Sequence, residues 1–272
     1  MVAVVPGNKE WRGQRRALIQ AGRGAVSQGL PNPVSQSVLI GVGLVLRDKL
    51  TARTDPGGPA AAAEIAARIA GKAIAAVAAR DETACRRGCA FCCHFAVAAS
   101  PPEVFRLARA LRERTRDGST ASVSAVIERA QSTRGLTLEE ITRACLPCVI
   151  LVGSECSAYE ARPITCRQFL SRSAEACERN LRGEPIEIPT LKGAINAGVL
   201  CRNLLLAAAR SVGLSDNCYE LAGALAIALA DPEAERRWLL GASVFEGLPT
   251  AARPASAEAM IATYAELISA WA

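Results

Sequence analysis

The chain is poor in the side chains on which most enzyme signatures rest. Its 272 residues include one histidine, His94, and contain neither paired catalytic carboxylates nor a Gly-x4-Gly-Lys-Ser/Thr phosphate loop. Hydrolase and nucleotidase readings therefore have no support. Aromatic residues make up 4% of the chain. No strand pattern alternates with helices and no internal repeat appears, which argues against a parallel-sheet enzyme fold. The longest apolar runs, Val38–Leu46 and Leu221–Ala230, are too short to span a bilayer. At the N-terminus the apolar residues precede the basic ones with no long apolar segment after them, unlike a secretory leader. We expect a cytoplasmic protein with no membrane association.

Half of the residues are hydrophobic, enough for one sizeable core, and alanine and leucine dominate them. Small aliphatic side chains suit closely packed helices, so the expected fold is mostly α. Basic residues number 32 against 26 acidic ones, and the excess is concentrated in the first sixty residues, where eight basic side chains face only Glu10, Asp48 and Asp55. This segment lacks interleaved aromatics beyond Trp11, and no nucleic-acid fold signature accompanies it. Its Gly, Pro and Ser breaks, such as Pro31-Asn32-Pro33, suggest that residues 1–58 form a basic, weakly ordered extension.

Residues 59–272 read as a helical domain. Ile65, Ile69, Ala73 and Val77 recur every four residues and predict a helix from Pro59 to about Arg80. Ser100-Pro101-Pro102-Glu103 is a helix start, with Ser at the N-cap, Pro in the first turn and Glu three residues on. Further helices are expected at about 121–133, 138–145, 190–212, 217–230 (capped by Asp216), 232–243 and 256–271.

The eleven cysteines are the outstanding feature. In a reducing compartment they are better read as ligands than as disulfides, and an odd count weakens a full disulfide set further. The first group runs Cys85-Arg-Arg-Gly-Cys89-Ala-Phe-Cys92-Cys93-His94. A thiolate-bound centre needs sulfurs converging within a few ångströms, which a short cysteine-dense loop provides, and Gly88 gives that loop freedom to wrap. A second group supplies Cys148, Cys156, Cys166 and Cys177. Two distant loops must then meet around the centre, coupling metal loading to folding. Cys201 and Cys218 fit helical faces as inert buried residues, and Cys145 closes a helical pattern. His94 is left out of the ligand set, because a residue adjacent to a ligand often points away.

Several stretches together resemble the YkgJ-type cysteine-cluster family of zinc- or iron-chelating domains, to which flagellin lysine N-methylases are similar. They are Cys85-x3-Cys89-x2-Cys92-Cys93, Ser100-Pro-Pro-Glu103, Cys148-Val-Ile-Leu, and Cys156-Ser-Ala-Tyr159-Glu-Ala-Arg162-Pro163-Ile-Thr-Cys166-Arg167-Gln-Phe169. The resemblance covers about residues 85–180. One departure is the gap between Cys85 and Cys89, where family members often have Cys-x2-Cys.

The second motif is also chemically coherent. Pro163 stiffens the turn before Cys166, Arg162 and Arg167 can offset the negative charge of a thiolate centre, and Tyr159 can pack over it. The eight candidate ligands Cys85, Cys89, Cys92, Cys93, Cys148, Cys156, Cys166 and Cys177 exceed the four that one zinc ion needs. We therefore expect an irregular helical domain whose two cysteine-rich loops surround a metal centre. An iron–sulfur cluster is the first choice and zinc the alternative.

Cys85-x3-Cys89-x-Phe91-Cys92 also has the spacing of the radical S-adenosylmethionine motif. That class builds on a β/α barrel, for which no strand series is present. Lysine methylation rests on the resemblance alone, since no glycine-rich strand–turn–helix for S-adenosylmethionine can be found. The remaining readings are a redox or electron-transfer module and a zinc domain that organises helices for a protein partner. Metal binding is what the sequence supports; it specifies no reaction.

Overall fold

The computed structural model describes residues 8–52, 55, 57–115 and 123–272. Among these residues the chain is mostly α, with twelve α-helices and two short antiparallel ladders.

The N-terminal segment corrects the expectation of a weakly ordered extension. It forms α1 (Lys9–Gln28) and α2 (Gln36–Thr51), capped by the side chains of Asn8 and Ser35. The breaks around Pro31 and Pro33 mark the turn between them. Leu39, Val42, Leu46 and Leu50 of α2 are buried in the main core, so the short apolar run is a core helix. The glycines read as breakers are contact points instead. A Cβ on Gly41 would lie 2.0 Å from the Leu18 carbonyl oxygen, and one on Gly22 would lie 2.2 Å from the Gly41 carbonyl, so only glycine permits this crossing. Trp11 of α1 stacks on Trp271 near the C-terminus with ring centroids 6.3 Å apart.

Helix α3 (Gly58–Ala78) runs as expected and packs against α2. Its buried stripe, Ala62, Ala66, Ile69, Ala70 and Ile74, is richer in alanine than the predicted face and lets neighbouring helices approach closely. Those neighbours are α4 (Pro101–Thr115) and α9 (Lys192–Arg210), and α12 (Ala255–Ala270) lies against α9. On the other side, α4 meets α10 (Leu221–Ala230), which packs on α5 (Val123–Ser132); the expected start of α5 at 121–122 lies outside the described residues. Helix α6 (Leu138–Arg143) carries a capping box between Thr137 and Glu140.

Phe105, Trp238, Phe245 and Tyr219 form a buried aromatic cluster with centroids 5.4–5.9 Å apart. Such contacts add about 1 kcal/mol each beyond simple burial.

Two ladders and two short helices frame the cysteine loops. Strand β1 (Ala98–Ala99) pairs with β4 (Tyr219–Glu220), and β2 (Leu151–Val152) pairs with β3 (Glu155–Cys156). Helices α7 (Ile164–Gln168) and α8 (Ala174–Leu181) follow β3.

Asp216 is not the cap of α10. Residues 219 and 220 are held in β4, so the helix starts at Leu221, and Glu220 accepts from Ala222 N at 2.8 Å and Gly223 N at 2.6 Å. Asp216 instead pairs with Arg210 and Arg253, which also hold Glu258 at 2.6 and 2.7 Å. The hydrogen bonds from these two arginines hold the Glu258 carboxyl at about 2, against an ordinary 4.5. A carboxylate depressed on folding stabilises the fold above its unfolded value and loses that contribution as pH falls through its folded value. Glu258→Gln should therefore melt lower than the parent at neutral pH, and the gap should close between pH 4.5 and 2 in thermal denaturation.

Candidate metal centre

The first cysteine loop leaves α3 and turns at Gly88, whose φ of +84° is a conformation that favours glycine. A single helical turn, Phe91–His94, then presents Cys92 and Cys93. Cys148 N donates to the Cys93 carbonyl at 2.7 Å, which locks the second loop onto the first. From Cys148 the chain enters the β2–β3 hairpin, turns at Gly153 (φ +59°) and places Cys156 opposite Leu151. Pro163 precedes α7, which carries Cys166.

Glu103 fixes α7. Buried at 3% exposure, it supplies the carboxylate half of the predicted capping box, accepting from Ser100 N at 3.0 Å and Ser100 Oγ at 2.6 Å. Its other oxygen accepts from Ile164 N, the first residue of α7, at 2.8 Å. One carboxylate thus sits on two helix N-termini, where the N–H groups are otherwise unpaired and the backbone dipoles favour negative charge. The capping box was legible in sequence; the bond across to Ile164 was not, since it spans sixty-one residues.

Cys85, Cys89, Cys92, Cys93, Cys148, Cys156 and Cys166 line one cavity of about 290 Å³. Phe95, Val97, Ile150, Phe169, Leu170 and Leu221 supply its apolar walls. Cys177 lies outside this wall, buried on α8. Cys145, with φ of +53°, donates its thiol towards the Leu181 carbonyl, while Cys201 and Cys218 are buried as inert core thiols pushed up to about 12 by burial. His94 is not part of this cavity's wall, and its Nδ1 lies 3.2 Å from the Ala90 carbonyl oxygen. All eleven cysteines are free. Among the described residues, no three Cys, His, Asp or Glu side chains stand close enough to hold an ion as placed. The thiols line the cavity without closing on a point.

Their electrostatics fit a cation. Burial pushes the Cys148 thiol up to about 11 and raises Cys89, Cys156 and Cys166 as well. Cys92 is raised first by its hydrogen bond with Cys93 and then by burial. Neutral thiols are stable there without a counter-charge, whereas thiolates need one, so metal loading must release protons.

Part of the counter-charge is already present. The Arg162 guanidinium lies 3.8 Å over the Tyr159 ring and opposes the upward shifts of Cys92, Cys156 and Cys166. Its Nε is buried with no hydrogen-bond partner. An orphaned cationic donor beside protonated thiols is satisfied once those thiols become metal-bound thiolates, so the residues present fit a thiolate centre.

Arg167 plays a different part from Arg162. Its guanidinium turns to the Glu160 carbonyl, and its Nε donates to the Arg162 carbonyl at 3.2 Å, holding the backbone of Arg162 from behind. Ser171 is a further component that the sequence gave no sign of. Fully buried, it donates its N–H to Cys85 Sγ at 3.2 Å.

The model of a family with the signature CxxCxxCC, described as "Putative zinc- or iron-chelating domain", matches residues 84–182. Neither a curated protein nor a solved structure matches the chain.

Glu103→Ala should lower stability by about 3 kcal/mol in urea unfolding, because two helix starts lose a charged acceptor inside the core. It should also loosen metal retention measured by dialysis, since α7 carries Cys166.

Proposed function

We propose that this chain, whose residues 84–182 form a cysteine-cluster domain of the zinc- or iron-chelating family, holds an iron–sulfur cluster in its thiol-lined cavity and serves in redox or electron transfer. The observation that carries the reading is that seven thiols from two distant loops line one cavity, with Arg162, whose Nε is buried without a hydrogen-bond partner, beside them. An iron–sulfur cluster supplies one-electron chemistry when bound.

The protein's own contribution is placement and electrostatics. Cys92, Cys148, Cys156 and Cys166 would hold the centre, and Cys93 follows Cys92 in the same Phe91–His94 turn on the cavity wall. Arg162 offsets the thiolate charge, with Tyr159 packed under its guanidinium. Phe95, Phe169 and Leu221 keep part of the cavity wall free of water-binding groups, and low polarity strengthens the pull of Arg162 on the sulfurs.

Iron–sulfur is favoured over a single zinc ion by two features. The thiols exceed the four of a closed zinc site, and no histidine faces the cavity. Lysine methylation gains nothing from the fold: among the described residues every strand is two residues long, so no glycine-rich strand–turn–helix for S-adenosylmethionine is formed.

Anaerobic purification followed by an absorption spectrum and assays for iron, sulfide and zinc tests the proposal. Expected are a broad band near about 400 nm, from sulfur-to-iron charge transfer, and matching iron and sulfide. Colourless protein with zinc and no sulfide would replace it with a zinc-organised module. Cys166→Ser should lose the band, whereas Arg162→Gln should keep it but shift the midpoint potential negative, because a cation near the centre favours the reduced state.

A further inference from the structure

A second cleft, of about 430 Å³, lies where α3 meets α4, the 159–161 turn and α7, and it shares no wall residue with the thiol-lined cavity. Its wall carries four cations, Arg68 and Lys72 from α3, Arg106 from α4 and Arg167 from α7, against two carboxylates, Glu64 and Glu160. Glu64 is shared between Arg106, at 2.5 Å, and Arg68, at 3.8 Å. Four cations less two carboxylates leave two positive charges in excess.

The excess is held on neutral oxygens. Arg106 Nη2 donates to the Glu160 carbonyl oxygen at 2.5 Å, and Arg167 Nη2 donates to the same oxygen. Two guanidinium groups thus meet on one uncharged acceptor, and of the two only Arg106 has a carboxylate in direct contact. The Arg106 side chain is 13% exposed, so water does little to screen the repulsion between them. Lys72 Nζ likewise reaches the backbone carbonyls of Val26 and Ser27 rather than a carboxylate.

The floor of the cleft is bare. Ala67, Gly71 and Ala75 recur every four residues along α3 and line it. A glycine inside a helix lowers stability relative to alanine, and a close neighbour is the ordinary reason for one. Gly71 has no such neighbour: a Cβ there would meet nothing within 4 Å, in contrast to Gly22 and Gly41. What Gly71 preserves is room above the helix.

We infer that this cleft binds a phosphate monoester, with its dianionic phosphoryl group seated over Gly71 between Lys72 and the Arg106–Arg167 pair. A dianion matches the two excess charges of the wall. Guanidinium forks offer paired N–H groups to phosphoryl oxygens, which a single carbonyl oxygen cannot use in full. The inference does not depend on the identity of the metal that the thiols hold.

The test is isothermal titration calorimetry of the full chain with inorganic phosphate and with phenyl phosphate, at constant ionic strength and at a pH where both are dianions. Malonate serves as a dicarboxylate of equal charge. The parent should bind both phosphates saturably at one per chain, and malonate more weakly. Lys72→Gln should weaken phosphate binding about tenfold, the loss of one charge-assisted hydrogen bond. Gly71→Leu, which fills the cleft without touching a cation, should weaken it at least as much while circular dichroism shows parental helical content. Arg16→Gln removes the same charge from an exposed position on α1 and should leave binding unchanged. Absence of saturable phosphate binding by the parent overturns the inference, as does parent-like binding by either Gly71→Leu or Lys72→Gln. An equal loss in Arg16→Gln also overturns it, because binding would then follow net charge alone. Malonate bound as tightly as phosphate, or inorganic phosphate bound without phenyl phosphate, would overturn the assignment to a phosphate monoester.

Discussion

A ring of thiols from two loops can form only if something outside the ring holds the loops in place. In this chain that constraint is met by a buried carboxylate. Glu103 caps the helix that follows the first cysteine loop and, with its second oxygen, caps the short helix that carries Cys166. A five-residue helix has little stability of its own, so α7 is defined by what grips its ends and faces. Glu103 grips its start, and α9 presses on its flank where Gly198 leaves room for the Gln168 side chain.

The same device recurs. Three buried glutamates each accept N–H groups from the first turn of a helix: Glu103 for α4 and α7, Glu220 for α10, and Glu235 for α3 through Ala60 N at 3.0 Å. Glu235 is also paired with Arg109 at 2.7 Å, and burial still pushes its carboxyl above the ordinary value. With so few aromatic and branched side chains, the core relies on alanine stripes that pack tightly but specify position poorly. Buried carboxylates on helix starts supply the directional contacts that such stripes lack.

Around this frame the cavity is electrostatically unfinished. Its thiols are raised by burial and by each other, and Arg162 is buried beside them without a partner at Nε. Each half of that imbalance is resolved by the same event, the exchange of thiol protons for a metal cation. Glu220, the cap of α10, ends the strand whose partner, β1, follows directly from the first cysteine loop. Helix packing and the geometry of the thiols are thus set by one set of contacts.

The sequence by itself determined what is local. Helix positions followed from apolar spacing, the Ser100–Glu103 box from its four residues, the Gly88 turn from the need for positive φ, and metal chemistry from cysteine density. It misread what depends on partners. The glycines and prolines of residues 8–52 looked like an open arm because a close helix crossing through Gly22 and Gly41 leaves no signature within either helix. Asp216 looked like a cap because pairing of Tyr219 and Glu220 with β1, a strand more than a hundred residues earlier, is what delays the start of α10. Likewise Arg162 and Arg167 were equivalent in the motif, and only packing turned one towards the thiols and the other towards Glu160. Spacing along a chain fixes which groups are near in sequence, while burial, charge compensation and the pairing of backbone groups are settled between segments far apart in it.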